Sequence, residues 1–503
     1  MTNATSLAPS PCAAATFTTP GLFGANFTSL SANLVTNYSF PVPDGWRYSQ
    51  PSIHVQDASF RNITVSYTHP GQNDTLYVET WLPDKNYNGR LQSIGGGGWV
   101  PGRFILTYGG MIGAWGILSP GNTNLYALQN LGSVSLKDES VSAKHFIQNY
   151  YGEQPKYSYW NACSQGGRQG SMIAQRYPDA YDGIIAAAPA LHWSEVVLQS
   201  MWPAFYMANT NQFPNAYQLN GLTVLATEEC DKYDGVEDGL ITDPDACLRR
   251  FNATAHIGEV SKYNCTTYNG TQIIDAATVD VARALWSGPV SSTGKQFWYG
   301  YNIGTDLSSL AATNCNTLGK CSGNNYSITA VIDATFVAKG SPINITDDNV
   351  SHERFDHVYL SFKKQFDSLI GAVDPDYSEF KEAGDKTITY HGLADPSISP
   401  NGTLSFYKDI SDTVPDTPSF YRYFSVPGLG HCWGGNGGQP VALFDQLRAW
   451  VENGTAPEST PVTITKPDQS KMQQLLCAWP KKAVFAEGCD VNGDVTTACW
   501  SCE

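Results

Sequence analysis

Apolar and polar positions alternate in two stretches near the N-terminal end, Ile63–Tyr67 and Leu76–Trp81, and the residues between them, His69-Pro70-Gly71-Gln72-Asn73-Asp74, are turn formers. That pattern predicts a β-hairpin with one face on a core. Further along, Arg90–Ile94 runs into Gly95-Gly96-Gly97-Gly98. Tyr157–Asn161 runs into Ala162-Cys163-Ser164-Gln165-Gly166-Gly167, followed by a helix-like stretch from Arg168 to Arg176. Gly183–Ala188 is a short apolar run of the kind a strand buried on both faces requires. Strand-like segments return at Lys386–Tyr390 and Phe420–Val426, and an amphipathic helix is expected over Pro440–Val451. Strands interleaved with helices predict an α/β fold with a mostly parallel sheet.

Two regions break this rhythm. Residues 1 to about 55 read as an irregular leader. From about 195 to 375 the chain is richer in Asn, Thr, Gly and Tyr and shows no clean βαβ repeat. The second region is expected to be an inserted lid, residues 195–374, between core segments 1–194 and 375–503. A separate second domain is the alternative.

Composition narrows the function. With 42% hydrophobic and 15% charged residues the chain has enough apolar material for a substantial core. The balance of 30 basic and 46 acidic residues gives a net charge of −16, which opposes any partner held through phosphates or an anionic bilayer. Neither nucleic acid nor a membrane is expected as a partner, and no apolar window is long enough for a membrane span. The 12 cysteines are scattered rather than set in metal-binding pairs, so they read as disulfides. Thirteen Asn-X-Ser/Thr sequons accompany them, which together predict a secreted protein carrying N-glycans. The opening Met-Thr-Asn-Ala-Thr-Ser lacks a basic and an apolar leader region and reads as a mature form.

The chemistry concentrates in three loops. Ser164 follows a strand, is flanked by Ala162 and Gly166, and precedes a helix, which is the setting of a nucleophile elbow. Ala162 stands where the motif has its first glycine, a place where close packing is the demand. In this fold the acid and the base follow the serine in that order. Tyr390-His391-Gly392-Leu393-Ala394-Asp395 places Asp395 just past a strand, and Gly428-Leu429-Gly430-His431-Cys432 places His431 in a glycine-rich loop past the next. Ser164, Asp395 and His431 are therefore the candidate nucleophile, orienting acid and base of an α/β-hydrolase. The oxyanion donors are expected to be the backbone amide of Gln165 and one from Gly95–Gly98, with Gly97 and Gly98 the candidates. Cys163 precedes the nucleophile and Cys432 follows the base. If Ser164 and His431 share a hydrogen bond, these two cysteines fall within disulfide reach.

The strings Cys163-Ser164-Gln165-Gly166-Gly167-Arg168-Gln169-Gly170, Tyr390-His391-Gly392 with Asp395, and Gly430-His431-Cys432 resemble the fungal tannase and feruloyl esterase family, from about residue 55 to the end of the chain. The resemblance implies hydrolysis of phenolic esters, either hydroxycinnamates such as ferulate on plant cell-wall sugars or gallate in tannins. The insertion looks shorter than a tannase's and favours the first. It implies a Cys163–Cys432 bridge and a Cys477–Cys499 bridge, and a His391 that faces the substrate pocket, with a packed structural residue as the alternative for His391. Trp193, Trp202, Phe205 and Tyr206 are candidates for a phenolic cleft or for plain core.

Cys230-Asp231-Lys232-Tyr233-Asp234-Gly235-Val236-Glu237-Asp238-Gly239-Leu240 sets three aspartates at offsets suited to a hard cation. In the related esterases this spacing holds a structural calcium, which implies the side chains of Asp231, Asp234 and Asp238 with the carbonyls of Val236 and Leu240. The alternative is a solvated acidic turn closed by Cys230–Cys247. No organic cofactor is expected. A non-catalytic binding protein and a peptidase are the remaining function classes, and the joint presence of Ser164, Asp395 and His431 opposes the first.

Overall fold

The computed structural model describes residues 16–102, 111–115, 125–262, 271–316, 320–323, 351–491, 493 and 495–503. Its centre is a nine-stranded sheet formed by β1 (Asn26–Val42), β2 (Ile53–Thr68), β3 (Leu76–Pro83), β4 (Arg90–Ser93), β5 (Met111–Trp115), β6 (Tyr157–Cys163), β7 (Gly183–Ala187), β10 (Lys386–Gly392) and β11 (Tyr421–Val426). The spatial order is β1-β2-β3-β5-β4-β6-β7-β10-β11. The pairs from β1 to β5 are antiparallel, and from β5 across to β11 every neighbouring pair is parallel.

The central strands show why their sequences do not alternate. Along β6 and β7, Tyr159, Cys163, Ile185 and Ala187 join one core, whereas Trp160, Ala162, Ile184 and Ala186 join another on the opposite face. Helix Leu443–Asn453 covers the first face with Leu443, Leu447 and Trp450. Helices Gln165–Arg176 and Pro400–Thr413 cover the second with Met172, Ile173, Phe406 and Ile410. With both faces covered, inward and outward residues are equally apolar. Each fully buried aliphatic or aromatic side chain contributes roughly 1.5–3 kcal/mol here.

The expected irregular leader is corrected over its second half. Residues 26–42 form β1, paired with β2 from Asn26↔Thr68 to Val42↔Ile53. As an edge strand β1 is mostly solvent-facing, so apolar alternation, the signal that marks half-buried strands, is weak there. The hairpin β2–β3 forms as predicted, and the helix expected from Arg168 begins at Gln165, immediately after Ser164.

Among the described residues between β7 and β10 no strand joins the main sheet. The chain there forms helices Trp193–Thr210, Ala216–Cys230, Pro244–Arg250, Ala276–Ser287 and His352–Ile370. A small hairpin of β8 (Thr313–Cys315) and β9 (Cys321–Gly323) is clipped by a Cys315–Cys321 disulfide. Side-chain caps fix several of these helix starts: Asn215 and Gln218 form a capping box, and Asp275 and Ser351 accept from Thr278 and Arg354. After β11, β12 (Ser459–Thr465) pairs with β13 (Lys471–Cys477), and β14 (Ala483–Phe485) with β15 (Trp500–Cys502).

Candidate active site

Ser164 sits between the end of β6 and the first turn of helix Gln165–Arg176, with φ 65° and ψ −122°. A non-glycine residue in that region costs about 1–3 kcal/mol and persists where the surroundings enforce it. They do so here. The Ser164 N–H donates to the Ala187 carbonyl (3.0 Å), and the Ser164 carbonyl accepts from the N–H of Arg168 (2.9 Å) and Ala190 (3.2 Å). A Cβ on Gly166 would stand 2.5 Å from that of Ala162, and one on Gly167 would stand 2.4 Å from the Ala187 oxygen. The elbow thus needs glycine at 166 and 167, and accepts the alanine at 162.

His431 and Asp395 complete the line. His431 Nε2 lies 2.8 Å from Ser164 Oγ, and His431 Nδ1 lies 2.8 Å from Asp395 Oδ2. Asp395 is fully buried just past β10, and His431 lies past β11, partly open to the cleft. Burial alone would raise the Asp395 pKa, but the charge on His431 and hydrogen bonds from His391 and His431 hold it well below the usual carboxylate range. Burial likewise pulls the His431 pKa down, and Asp395 outweighs it and leaves it raised. Cys163 and Cys432 form a disulfide with Cα atoms 5.9 Å apart. Cys432 also has positive φ, 64°, so the bridge holds one turn into the site at Cys432 itself and the other at the residue before Ser164.

The glycine loop lies beside the elbow. Gly97 and Gly98 line the same cleft as Ser164 and Gln165. Two residues not singled out in the sequence hold this arrangement. Gln169 accepts from the Gly96 N–H through Oε1 (2.9 Å) and donates through Nε2 to the Pro101 carbonyl (2.8 Å). Arg168, fully buried, donates to Gln165 Oε1 and to the carbonyls of Leu131, Gly132 and Ile370. It is charged and has no carboxylate among these partners; burial, then repulsion from Arg176, brings its pKa down to about 9. Both residues stand one turn into the helix, and the partners that define their roles, Gly96 and Pro101 for Gln169 and Leu131, Gly132 and Ile370 for Arg168, are distant in the chain, so no local sequence signal marks them.

The cleft over Ser164 has a volume of about 310 Å³. Trp99, Trp193, Val196, Val197, Leu310, Ile398 and Trp433 form its apolar walls. Among the described lining residues none is Asp, Glu, Lys or Arg. Of the aromatic candidates, Trp193 reaches the cleft and meets Trp99 edge to face at 5.1 Å, while Trp202 and Phe205 are buried in the core formed with Phe355.

Two expectations are corrected. His391 does not face the cleft: it is fully buried behind Asp395, with Nε2 2.9 Å from Asp395 Oδ2. It is the penultimate residue of β10, in a strand whose residues from Thr387 onward are all buried. Nor does Cys477 pair with Cys499. The disulfides are Cys477–Cys502 and Cys489–Cys499, because β15 runs back along β14 and brings the last cysteine to the end of β13. Cys12 and Cys265 lie outside the described residues.

The acidic loop is closed by a Cys230–Cys247 disulfide. Asp231 Oδ1 accepts the N–H groups of Asp238 (3.1 Å), Gly239 (2.9 Å) and Leu240 (3.2 Å), and Asp234 accepts that of Val236 (3.0 Å). Asp238 is fully buried. Its Oδ1 accepts from the Leu240 N–H, but its Oδ2 has no hydrogen-bond partner. Burial, then repulsion from Asp234 and Asp231, pushes its pKa up to about 8. Among the described residues no three His, Cys, Asp or Glu side chains converge as a metal-binding group.

The family model described as tannase and feruloyl esterase matches residues 112–499. A probable feruloyl esterase from Arthroderma benhamiae is 32% identical over 464 residues, covering 86% of this chain and 83% of its own. Feruloyl esterase B from Aspergillus niger is 31% identical, covering 81% of this chain and 80% of its own. Tannin acyl hydrolase from Aspergillus niger superposes with a TM-score of 0.84 at 24% identity, covering 98% of this chain and 95% of that one, which shows a shared fold. The chain therefore belongs to the tannase and feruloyl esterase family and is an ester hydrolase of the serine type.

Proposed function

We propose that this esterase cleaves hydroxycinnamate esters, such as those of ferulic acid on plant cell-wall sugars, through an acyl-enzyme on Ser164. The observation that carries the reading is the apolar, aromatic-walled cleft above Ser164, without a charged Asp, Glu, Lys or Arg among its described lining residues. A methoxylated phenylpropenoyl group buries its apolar surface there against Trp99, Trp193, Val196 and Ile398.

In the reaction, Ser164 Oγ attacks the ester carbonyl carbon while its proton passes to His431 Nε2. The carbonyl electron pair moves onto oxygen, where the amides of Gln165 and of Gly97 or Gly98 donate to it. The Gly96 N–H is already engaged by Gln169. Collapse restores the carbonyl and breaks the bond to the alcohol, which leaves with the His431 proton. Water, deprotonated by His431, then releases the acid and restores Ser164. Asp395 keeps Nδ1 of His431 protonated and stabilises the imidazolium.

Residues 195–374 serve as the lid in this reading: helix Trp193–Thr210 lends Val196, Val197 and Ser200 to the cleft wall, and Tyr301, Ser309 and Leu310 come from the same insertion. Calcium at the acidic loop would answer the unpartnered Asp238 Oδ2 and the crowding of Asp231, Asp234 and Asp238, with the carbonyls of Val236 and Leu240 as further ligands. Its contribution would be structural. Secretion with N-glycosylation follows from the sequons and disulfides; Asn26, Asn37, Asn73, Asn252 and Asn453 are all exposed. No described helix is long and apolar enough to cross a membrane.

A tannase is the second reading, since the family whose model matches the chain includes both activities. Hydrolysis of methyl ferulate and methyl gallate, measured side by side with Ser164→Ala as control, separates the two. Faster turnover of ferulate, lost in the variant, supports the first; preference for gallate overturns it.

A further inference from the structure

The carboxylate of Asp395 is fully enclosed by donors. Oδ1 accepts the N–H groups of Ser397 (2.7 Å) and Ile398 (3.0 Å), and Oδ2 lies 2.8 Å from His431 Nδ1 and 2.9 Å from His391 Nε2. Two imidazoles therefore share one oxygen. The second ring nitrogen of His391, Nδ1, stands 2.9 Å from Oγ1 of Thr403, in the first turn of helix Pro400–Thr413, and both residues are buried.

These contacts fix a tautomer. An ionised carboxylate only accepts, so His391 Nε2 carries the hydrogen; in neutral His391, Nδ1 then presents a lone pair, to which the Thr403 hydroxyl donates. Without Thr403 the ring could carry its hydrogen on Nδ1 and turn a lone pair toward Asp395, opposing the carboxylate charge.

We propose that His391 is a positioning residue of this active site, held in its Nε2–H tautomer by Thr403, so that the working unit is a relay Ser164–His431–Asp395–His391–Thr403. The inference rests on the esterase reading above. The two backbone donors fix Oδ1, and His391 fixes Oδ2, so the oxygen that orients His431 is set before substrate arrives. There is also an electrostatic effect. Donation from His391 takes up part of the charge on Oδ2 and weakens its hold on the His431 imidazolium. The ionisable groups that bear on Asp395 are these two histidines. Removing the His391 donor leaves Oδ2 to His431 alone, which keeps the proton on His431 to higher pH.

The test measures kcat, KM and the pH profile of kcat/KM on an aryl ester that the wild-type enzyme turns over. The variants are His391→Leu, His391→Gln, Thr403→Val and Thr403→Ser. All are made in an oxidising bacterial host without N-glycosylation, since Thr403 also completes the Asn401 sequon. His391→Leu is expected to lose ~10- to 100-fold in kcat with KM nearly unchanged, and its acid limb moves to higher pH. His391→Gln, whose amide N–H reaches the same oxygen, restores most of both. Thr403→Val shows a smaller loss, and Thr403→Ser behaves as wild type. Wild-type kcat and acid limb in a folded His391→Leu overturn the proposal. So does a loss of kcat with an unmoved limb and no rescue by glutamine, which assigns His391 to packing. Where His391→Leu fails to fold, the near-isosteric Thr403→Val decides by the same two readouts. Ser164→Ala tests the underlying esterase reading separately: activity surviving there removes that reading, whatever the His391 variants do.

Discussion

Cys163 and Cys432 are bonded to one another with their Cα atoms 5.9 Å apart, and each is the immediate neighbour of one partner in the 2.8 Å Ser164–His431 contact. The bridge spans 269 residues and joins the nucleophile elbow to the loop after the last strand of the sheet. Elsewhere the geometry of such a pair depends on packing between two loops; here it is also covalent.

Removing the bridge should therefore affect catalysis more than folding. The double variant Cys163→Ala with Cys432→Ala is expected to lose ~100-fold in kcat when assayed below its melting temperature, since misplacement of a base by about 1 Å costs that much. Circular dichroism and thermal melting verify that it is folded. Unchanged turnover would show that packing alone sets the pair.

The pH dependence follows from the two shifted groups. His431 must be neutral to accept the Ser164 proton, and its raised pKa means that this neutral fraction is lost as pH falls through a midpoint above the ordinary histidine value of about 6.5. Asp395, held low, stays ionised across that window and adds no second limb. A kcat/KM profile should show one acid limb. Asp395→Asn should lower its midpoint and cost up to ~10⁴-fold in kcat by releasing the His431 tautomer.

Gln169 tests the oxyanion loop. Gln169→Leu removes both the acceptor of the Gly96 N–H and the donor to Pro101, freeing the loop that carries Gly97 and Gly98. An effect confined to transition-state stabilisation predicts a ~10²-fold fall in kcat with KM little changed. Equal rates for Gln169→Leu and wild type would place the oxyanion donors elsewhere.

The acidic loop separates calcium from a bare turn by the sign of one substitution. With calcium bound, EDTA lowers Tm, and Asp238→Asn lowers it too and abolishes the EDTA effect. Without a cation, Asp238→Asn relieves a buried carboxyl crowded by Asp231 and Asp234, and Tm stays or rises. Differential scanning calorimetry in calcium and in EDTA reads both outcomes.

What the sequence revealed was local. Ser164, Asp395 and His431 each sit in a short string of small residues at a strand end, and two carry a cysteine beside them, so no long-range knowledge was needed to select them. His391 stood between pocket and packed core because its partner Thr403 lies twelve residues on, in the next helix, and only the turn between them decides which way the ring points. Strand β1 was missed because an exposed edge strand has no buried face to impose alternation. The pairing of Cys477 with Cys502 depends on the register of β14 against β15, in which Ala483 faces Cys502, and cysteine spacing does not encode that register. Gln169 and Arg168 were within the motif already quoted, yet their roles require the positions of Gly96, Pro101 and Ile370 in space.

The most direct measurement is trapping of the nucleophile. The protein is treated with a fluorophosphonate and the adduct is located by peptide mass spectrometry, with ester hydrolysis followed in the same sample. The account predicts one adduct, on Ser164, formed in step with loss of activity and absent in Ser164→Ala. An adduct on another residue, or full hydrolysis with Ser164 modified, would contradict it.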